Sequence, residues 1–453
     1  MSGNLFGNLL GWLILLGVGV PFSIALHELG HLLPAKRFGV ACPQYFIGFG
    51  PKVWSTRRGG TEYGIKAIPL GGYVRMMGMF PPAPGRPVSA DSTGRFGVLI
   101  DRARAEAQRE ISPRDADRLF YQRSVPQRLV IMLGGPFMNL LLAVVLMTGV
   151  LTLYGASTLT TTVGSISQCV LPVPVSKTTP SRGCLPTDQK SPAELAGLRA
   201  GDEVISYAGR PVESWRELRD RIRASKATPI EVVVRRNGAP VTLTVTPMVS
   251  ARYVYDENDN PVTGPNGEYL TTPTGFLGMT PLDTVEPVPV AKVPGVIGGY
   301  LAVTFSAITK VPEKMVGVVQ AAFGDGPRDP EGPVSVVGVG RIAGEVGSFQ
   351  GTDEAPVRWV DKIAIWVNLI ASLNLALFVF NLVPLLPLDG GHVVGALWEG
   401  LRRQVARVFG RPDPGPVDIA RALPLAYAVG SVLITMSVLL IYADIVKPIR
   451  LGG

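Results

Sequence analysis

Residues 22–33 read FSIALHELGHLL, an apolar run that His27, Glu28 and His31 interrupt. The run extends back to Leu5, which makes it longer than the about 20 mainly apolar residues that a helix needs to cross a bilayer. No basic segment precedes it and no small-residue cleavage site follows, so we expect a permanent membrane-spanning helix and not a signal peptide. Three ionisable side chains in such a helix are costly unless they are paired or bound to a metal.

The other apolar residues are also concentrated in long runs, and charged residues make up only 17% of the 453 residues. Three further runs are long enough to span a membrane: Leu129 to Tyr154, Ile363 to Leu388 and Ala422 to Ile441. The shorter, glycine-rich stretch from Val293 to Ile308 is expected to lie on or near the membrane, with a fifth crossing as the alternative. The sequence therefore predicts a polytopic α-helical membrane protein with four transmembrane helices.

Basic residues are concentrated in two connecting segments. Between Lys36 and Arg128 there are 16 Lys or Arg against 7 Asp or Glu, and five arginines lie between Arg402 and Arg421. The positive-inside rule makes both segments cytoplasmic, whereas Gly155 to Asp361, with 19 basic and 22 acidic residues, lies outside. Four spans then put both termini outside, in the inner or plasma membrane of the cell. The net charge of +8 is a topology signal and does not indicate nucleic-acid binding.

Two of the connecting segments have fold signals of their own. Aromatic and β-branched residues from about 40 to 78 predict a β-hairpin pressed against the membrane, and its strand Tyr63–Ile68 is expected to offer an edge to an extended peptide. The outside segment resembles a PDZ domain of the bacterial protease type over about 165–250. Its predicted elements are a short helix in Ser191–Leu198, a turn at Gly201-Asp202, a helix over Trp215–Ile222, and strands Ile230–Val234 and Val241–Val245 around an Asn237-Gly238 turn.

The three cysteines follow this topology. Cys169 and Cys184 both fall outside, where a disulfide can persist, and its presence or absence is left open. Cys42 falls in the cytoplasmic segment and is expected to be a free thiol. None of the three has the spacing of a zinc finger.

The pattern H-E-x-x-H from His27 to His31 predicts a metal site. Its i, i+4 spacing places both imidazoles on one helix face, where they can hold one zinc ion. Glu28 is close enough to accept a proton from a zinc-bound water. A polar helix face is the alternative for a soluble chain, but it is a poor explanation within an apolar span.

A catalytic zinc site needs a third protein ligand. Glu62, the first acidic residue after the motif, lies in the predicted hairpin. Asp389 is the only acidic residue in the third apolar stretch, and the first and third spans both run from outside to inside, so we expect it at the depth of the motif. The alternatives are a simple Asp-Gly helix end at Asp389, and His392 as the ligand in its place.

These motifs resemble those of the site-2 proteases, a family of intramembrane zinc metalloproteases. His27–His31 matches the family pattern H-E-x-x-H, and Asn381–Gly390 matches N-x-x-P-x-x-x-L-D-G. Gly135–Asn139 resembles its G-P-x-x-N element, and Gly48–Pro51 with Ile68–Tyr73 resembles its membrane-reentrant hairpin. A proline that some relatives have at the position of Leu386 is found here at Pro387. The resemblance covers nearly the whole chain, including the PDZ-like domain of the bacterial branch.

The resemblance implies specific roles. His27, His31 and Asp389 are expected to bind Zn²⁺, and Glu28 to be the general base. Substrate binding is expected at Asn381, Asn139, Pro384 and Gly72, with hydrogen bonding between helices as the alternative for the two asparagines. The implied substrates are single-span membrane proteins, such as anti-sigma factors, that a site-1 type protease has already trimmed.

Three other functions remain open from the sequence. Clearance of remnant signal peptides needs the same site. A membrane scaffold with a PDZ domain and a structural zinc is disfavoured because such a site fills four protein positions, and a metal transporter is disfavoured by the apolar second and fourth spans. The expected segments are 1–35, 36–128, 129–155, 156–290, 291–362, 363–390, 391–421 and 422–446, in which the first, third, sixth and eighth are the spans.

Overall fold

The computed structural model describes residues 5–82, 95–109, 111–171, 183–255, 262, 264, 268–324, 328–329, 332–349 and 357–449. The chain divides into two compact units. We call Met1–Leu153 with Pro289–Gly453 the membrane unit, and Tyr154–Val288 the β unit. The sequence from Pro81 begins with a proline-rich stretch that is typical of a linker, and residues 83–94 of it lie outside the described residues.

Helices dominate the membrane unit and strands dominate the β unit. The helices are α1 (Leu5–Trp12), α2 (Val20–Arg37), α3 (Arg95–Arg109), α4 (Val125–Gly149), α5 (Pro192–Leu195), α6 (Trp215–Ala224), α7 (Val293–Thr309), α8 (Val311–Phe323), α9 (Val336–Ser348), α10 (Trp359–Asn381), α11 (Asp389–Val408) and α12 (Leu423–Val446). The strands are β1 (Gln44–Arg58), β2 (Thr61–Arg75), β3 (Ala156–Ile166), β4 (Glu203–Tyr207), β5 (Arg210–Pro211), β6 (Ile230–Arg236), β7 (Ala239–Val245), β8 (Met248–Tyr253), β9 (Thr271–Phe276) and β10 (Met279–Glu286).

Within the described part of the chain, five helices are long and apolar enough to cross a membrane. Four overlap the expected spans: Leu5–Arg37, Val125–Tyr154, Trp359–Asn381 and Ile419–Val446. The fifth, Val290–Thr309, is the stretch that was expected to lie on or near the membrane. The protein is therefore a multi-pass membrane protein.

The first and third spans run parallel. A Cβ at Gly19 would lie 2.7 Å from Cδ1 of Ile370, and one turn later Nδ2 of Asn374 donates to Oγ of Ser23 at 2.8 Å. Asn374 and Ser23 are both 0% exposed. This polar contact fixes the depth of α2 relative to α10, because an amide in an apolar bundle needs a partner.

The hairpin of β1 and β2 folds back on itself. Tyr63 pairs with Tyr45 on one side and Thr56 on the other, and Ile65 likewise has two partners. The sequence-based expectation that Tyr63–Ile68 offers a free edge is therefore wrong for its first half. Gly72–Arg75 pairs only with the start of β1 among the described residues, and it is the edge that faces α2.

The third span ends earlier than expected. α10 stops at Asn381 because Pro384 cannot continue the helix, and a turn leads to α11, which begins at Asp389. Arg128 of α4 forms a buried ion pair with Glu399 of α11, with side chains 3% and 0% exposed. The pair ties the helix that begins with Asp389 to the second span.

The β unit contains the predicted elements. Its sheet has the order β10-β3-β4-β6-β7, with β5 beside β4, and β8 and β9 form a separate hairpin. Asn237 and Gly238 adopt positive φ in the turn between β6 and β7, as a two-residue hairpin loop requires. Cys169 and Cys184 form a disulfide, and Cys42 is a buried free thiol.

Candidate metal centre

The two motif histidines project from α2 where it crosses α4 backbone to backbone. A Cβ at Gly30 would lie 2.2 Å from the carbonyl oxygen of Gly134, so only small residues permit this crossing. At Gly135 a Cβ would lie 2.2 Å from Nε2 of His31 and 2.8 Å from Cε1 of His27. The glycines of α4 thus provide the space in which the two imidazoles lie.

The tautomer of His31 follows from one hydrogen bond. His31 is 5% exposed, and its Nδ1 lies 2.8 Å from the carbonyl oxygen of Ile131 on α4. Because a carbonyl oxygen can only accept, Nδ1 carries the proton and Nε2 keeps a free lone pair. This arrangement is typical of a histidine that binds a metal.

His27 has a corresponding partner in Asn139. The Nδ2 atom of Asn139 lies 3.1 Å from Nδ1 of His27, and Oδ1 is buried without a partner among the described residues. A half rotation of the amide lets Oδ1 accept the Nδ1–H of His27, which frees Nε2 for a metal. Asn139 was expected to bind substrate. Its side chain is only 1% exposed and lies on the Nδ1 side of His27, away from the other two ligands.

Asp389 reaches the histidines from the start of α11. It is the first residue of that helix, where the helix dipole stabilises a carboxylate. The next residue, Gly390, passes under the turn, since a Cβ there would lie 2.3 Å from the carbonyl oxygen of Val383. The structure therefore brings Asp389 together with the two histidines, as the sequence predicted.

The three ligand atoms have the spacing of a metal site. The Nε2 atoms of His27 and His31 lie 3.2 Å apart, and Oδ2 of Asp389 lies 3.3 Å from the first and 3.4 Å from the second. A tetrahedral zinc ion with bonds of about 2.0–2.1 Å separates its ligand atoms by roughly 3.3 Å. Oδ2 is buried and has no hydrogen-bond partner in the described part of the chain. Three converging lone pairs fit zinc, with a fourth position left for water.

Glu28 lies between this cluster and the hairpin. A Cβ at Gly72 would lie 3.1 Å from Cγ of Glu28, and the backbone of Val74 is within hydrogen-bonding reach of its carboxylate. The hydroxyl of Tyr45 donates to the carbonyl oxygen of Ala25 at 2.7 Å. Burial raises the pKa of Tyr45 to about 12, so this donor stays protonated and ties the hairpin to α2.

The remaining candidates lie outside the three-ligand cluster. Asn381 ends α10, is half-buried and makes no side-chain hydrogen bond to the described residues, and Pro384 is exposed. The Nδ1 atom of His392 is buried and has no hydrogen-bond partner among the described residues. Glu62 is bound by Lys52 within the hairpin, at 2.5 Å, and is not part of the site.

Comparison with known proteins agrees with this chemistry. The family model described as Peptidase family M50 matches residues 14–411. Zinc metalloprotease Rip1 of Mycobacterium tuberculosis is 33% identical over 449 residues, which covers 97% of this chain and 98% of that protein. Rip1 of Mycolicibacterium smegmatis is 32% identical with the same coverage, and zinc metalloprotease RasP of Geobacillus kaustophilus is 27% identical over 87% of this chain and 90% of its own length.

Proposed function

The chain belongs to peptidase family M50, the site-2 protease family of zinc metalloproteases, and on that premise we propose that it hydrolyses peptide bonds in or near the transmembrane segment of single-span membrane proteins. The observation that carries the proposal is the convergence of the His27, His31 and Asp389 lone pairs at ligand spacing. Glu28 beside a three-ligand site favours catalysis over a structural zinc, which fills four protein positions.

Each residue has a defined part in this reaction. His27, His31 and Asp389 would hold a zinc ion, which would supply a Lewis acid and lower the pKa of water at the site to about 7. Glu28 takes the proton from the attacking water and delivers it to the leaving amine nitrogen. Asn139 fixes the ring orientation and tautomer of His27 and so acts on the metal site without touching the substrate.

A transmembrane helix has to unwind before its carbonyl groups are open to attack. In the proposed complex the unwound segment of the substrate pairs as a strand with the edge Gly72–Arg75, which lies against Glu28. This pairing gives hydrogen-bond partners to the substrate's backbone N–H and C=O groups, which no water solvates within the membrane. The amide of Asn381, which makes no hydrogen bond to the described residues, and the exposed Pro384 contribute to substrate binding at the end of α10 and in the turn that leads to Asp389.

Four crossings with both termini outside agree with the directions of the helices. Because the first and third spans run parallel, an even number of crossings separates the end of α4 from the start of α10. A single crossing by α7 would make that number odd. The parallel directions of the two spans therefore support a position of α7 on or near the membrane surface. The Lys- and Arg-rich segment after the motif supports a site near the cytoplasmic side.

The proposed physiological substrate is an anti-sigma factor or a similar signalling protein, after an upstream site-1 type protease has removed its outside domain. Clearance of remnant signal peptides is the second candidate, since it uses the same site. We assign to the PDZ-like region, 165–250, the role of a size filter. Its deletion should admit untrimmed substrate, and unchanged selectivity would rule out this role.

Purified protein in detergent, given a model single-span substrate, tests the proposed activity. Cleavage should map to the transmembrane segment, stop on treatment with a zinc chelator and return with added Zn²⁺. Cleavage that survives removal of all zinc would contradict the proposal.

A further inference from the structure

A cleft in the membrane unit lies between α3 and the start of α12. It has a volume of about 580 Å³. Its lining residues on α3 include Val98, Arg102, Ala105 and Arg109, whose i, i+4, i+7 and i+11 spacing places them on one face of the helix. From α12 it is lined by Tyr427, which lies in the second turn of that helix. The cleft is thus bounded by one face of a short helix and by the beginning of a membrane-spanning helix.

The opposite face of α3 fixes this helix to the rest of the membrane unit. The side chain of Arg104 is only 12% exposed and pairs with Asp418, which is equally buried and stands directly before the turn that leads into α12. Ala107, one turn after Arg104, lines a cavity together with Tyr73 and Val74 of β2. The helix is therefore held through Arg104 and Ala107, and the face that lines the cleft is left open.

The open face of α3 carries more positive than negative charge. Arg102 and Arg109 are both exposed, and neither forms an ion pair or a side-chain hydrogen bond with any residue that the structure describes. They lie two turns apart, which is roughly 10 Å along the helix axis. Glu106 also lines the cleft and is likewise exposed, so two cationic groups and one anionic group face it. The cleft therefore offers two guanidinium groups to an anion.

The outer face of α12 continues from the cleft as an apolar stripe. Tyr427, Ile434, Val438 and Ile445 are between 59% and 66% exposed, and their i, i+7, i+11 and i+18 spacing keeps them on one face. On a helix that crosses a membrane, an exposed apolar face of this length contacts lipid chains. A tyrosine near the end of such a helix is typical of the level of the lipid headgroups. A lipid that packs on this stripe therefore has its headgroup at the cleft.

We propose that this cleft binds the headgroup of an anionic phospholipid whose acyl chains lie along the stripe on α12. The phosphate oxygens accept hydrogen bonds from Arg102 and Arg109, because a guanidinium fork matches the geometry of a phosphate. In the topology proposed above the cleft faces the cytoplasmic leaflet, whose anionic lipids attract basic segments close to the membrane. The bound lipid holds α3 at the membrane surface, next to the hairpin strand β2.

Native mass spectrometry of the full-length protein in a nonionic detergent tests the proposal, because it counts the lipids bound to each molecule. The protein is given equal amounts of phosphatidylglycerol and phosphatidylcholine with the same acyl chains. Protein with one bound phosphatidylglycerol should exceed protein with one bound phosphatidylcholine by about fivefold or more. Equal binding of the two lipids, or binding of neither, would overturn the proposal. The measurement involves no proteolysis, so its outcome is independent of the protease assignment.

Soluble phosphates distinguish a lipid site from a site for free phosphate. Inorganic phosphate and glycerophosphoglycerol, which is the same headgroup without acyl chains, are added at the concentration of the lipid. Neither should displace bound phosphatidylglycerol, because neither can contact the apolar stripe on α12. Displacement by either compound would show a site for soluble phosphates and contradict the lipid site.

Variants separate the charge of the cleft from the net charge of the protein. Arg102→Gln with Arg109→Gln should lose the preference for phosphatidylglycerol, and Lys at both positions should keep most of it. Glu106→Gln should raise the preference, because it removes the one acidic side chain among the described lining residues. Arg114→Gln with Arg411→Gln removes two exposed arginines that do not line the cleft and should bind as the wild type does. An equal loss in this control, or no gain with Glu106→Gln, would contradict the site.

Discussion

Asn139 on the second span lies 3.1 Å from the Nδ1 atom of His27 on the first. The contact joins two membrane-spanning helices, and it leaves the Nε2 atom of His27 directed at Asp389 and His31. A metal-binding histidine is oriented by the partner of its other ring nitrogen, and loss of that partner typically weakens metal affinity by about 10–100-fold.

Asn139→Leu should therefore raise the Kd for zinc by about 10–100-fold, measured by competition with a chromogenic chelator in detergent. Asn381→Leu is the matched control, because that amide makes no hydrogen bond to the described residues, and its zinc affinity should equal that of the wild type. If both variants hold zinc as the wild type does, Asn139 has no role in the metal site.

Gly72→Ala should lower kcat while zinc stays bound. The new Cβ would lie 2.8 Å from Cγ2 of Ile24 and 3.1 Å from Cγ of Glu28, so the base or the hairpin has to move. Misplacement by about 1 Å can cost about 10²-fold in rate. Gly149→Ala introduces the same methyl group into open space and should leave kcat unchanged. A fully active Gly72→Ala enzyme would show that this contact does not position Glu28.

Glu399→Ala should destabilise the membrane unit by about 3–5 kcal/mol, because it leaves the buried Arg128 guanidinium without its counter-charge. Thermal unfolding in detergent measures the effect. Replacement of both residues by Met removes both charges and should recover most of the loss. If the double variant is as unstable as Glu399→Ala, simple packing and not the buried charge is responsible.

The β unit should lose stability in acid through Asp202. Its carboxylate accepts from Arg236 at 2.7 Å, and this hydrogen bond holds the pKa of Asp202 below its ordinary value. A lowered pKa contributes stability above the unfolded-state value of about 3.9, and this contribution disappears as the pH falls through the native pKa. Resistance of the β unit to proteolysis should therefore fall below about pH 4, and less steeply in Asp202→Asn, which is already less resistant at pH 7. Parallel profiles for the two proteins would exclude this linkage.

The sequence predicts the metal cluster because polar residues are so rare in the apolar spans. Two histidines and an aspartate in two such runs are costly to bury unless they form one site, and in the structure they lie together. The role of Asn139 was not predictable in the same way, because its helix face depends on where α4 crosses α2. The signal was the Gly134-Gly135 pair, which marks a close crossing in an apolar helix.

The hairpin register shows a second limit of sequence-based prediction. Apolar and polar residues alternate in Tyr63–Ile68 as they would in an edge strand. The second half of β1 nevertheless pairs beside it, because Gly48 and Gly50 adopt positive φ and change the direction of β1. Strand pairing depends on such irregularities, which no alternation of residues reveals. The β unit was more predictable, since its helices and its Asn-Gly turn are local.

The most direct test of the central claim is the cleavage rate of a single-span substrate by Glu28→Ala, with bound zinc measured in the same sample. Loss of the general base should lower the rate by about 10²–10⁴-fold while zinc remains near the wild-type level, because the three ligands are untouched. A variant that retains zinc and cleaves at the wild-type rate would contradict the role of Glu28, and a wild-type protein without zinc would contradict the site itself.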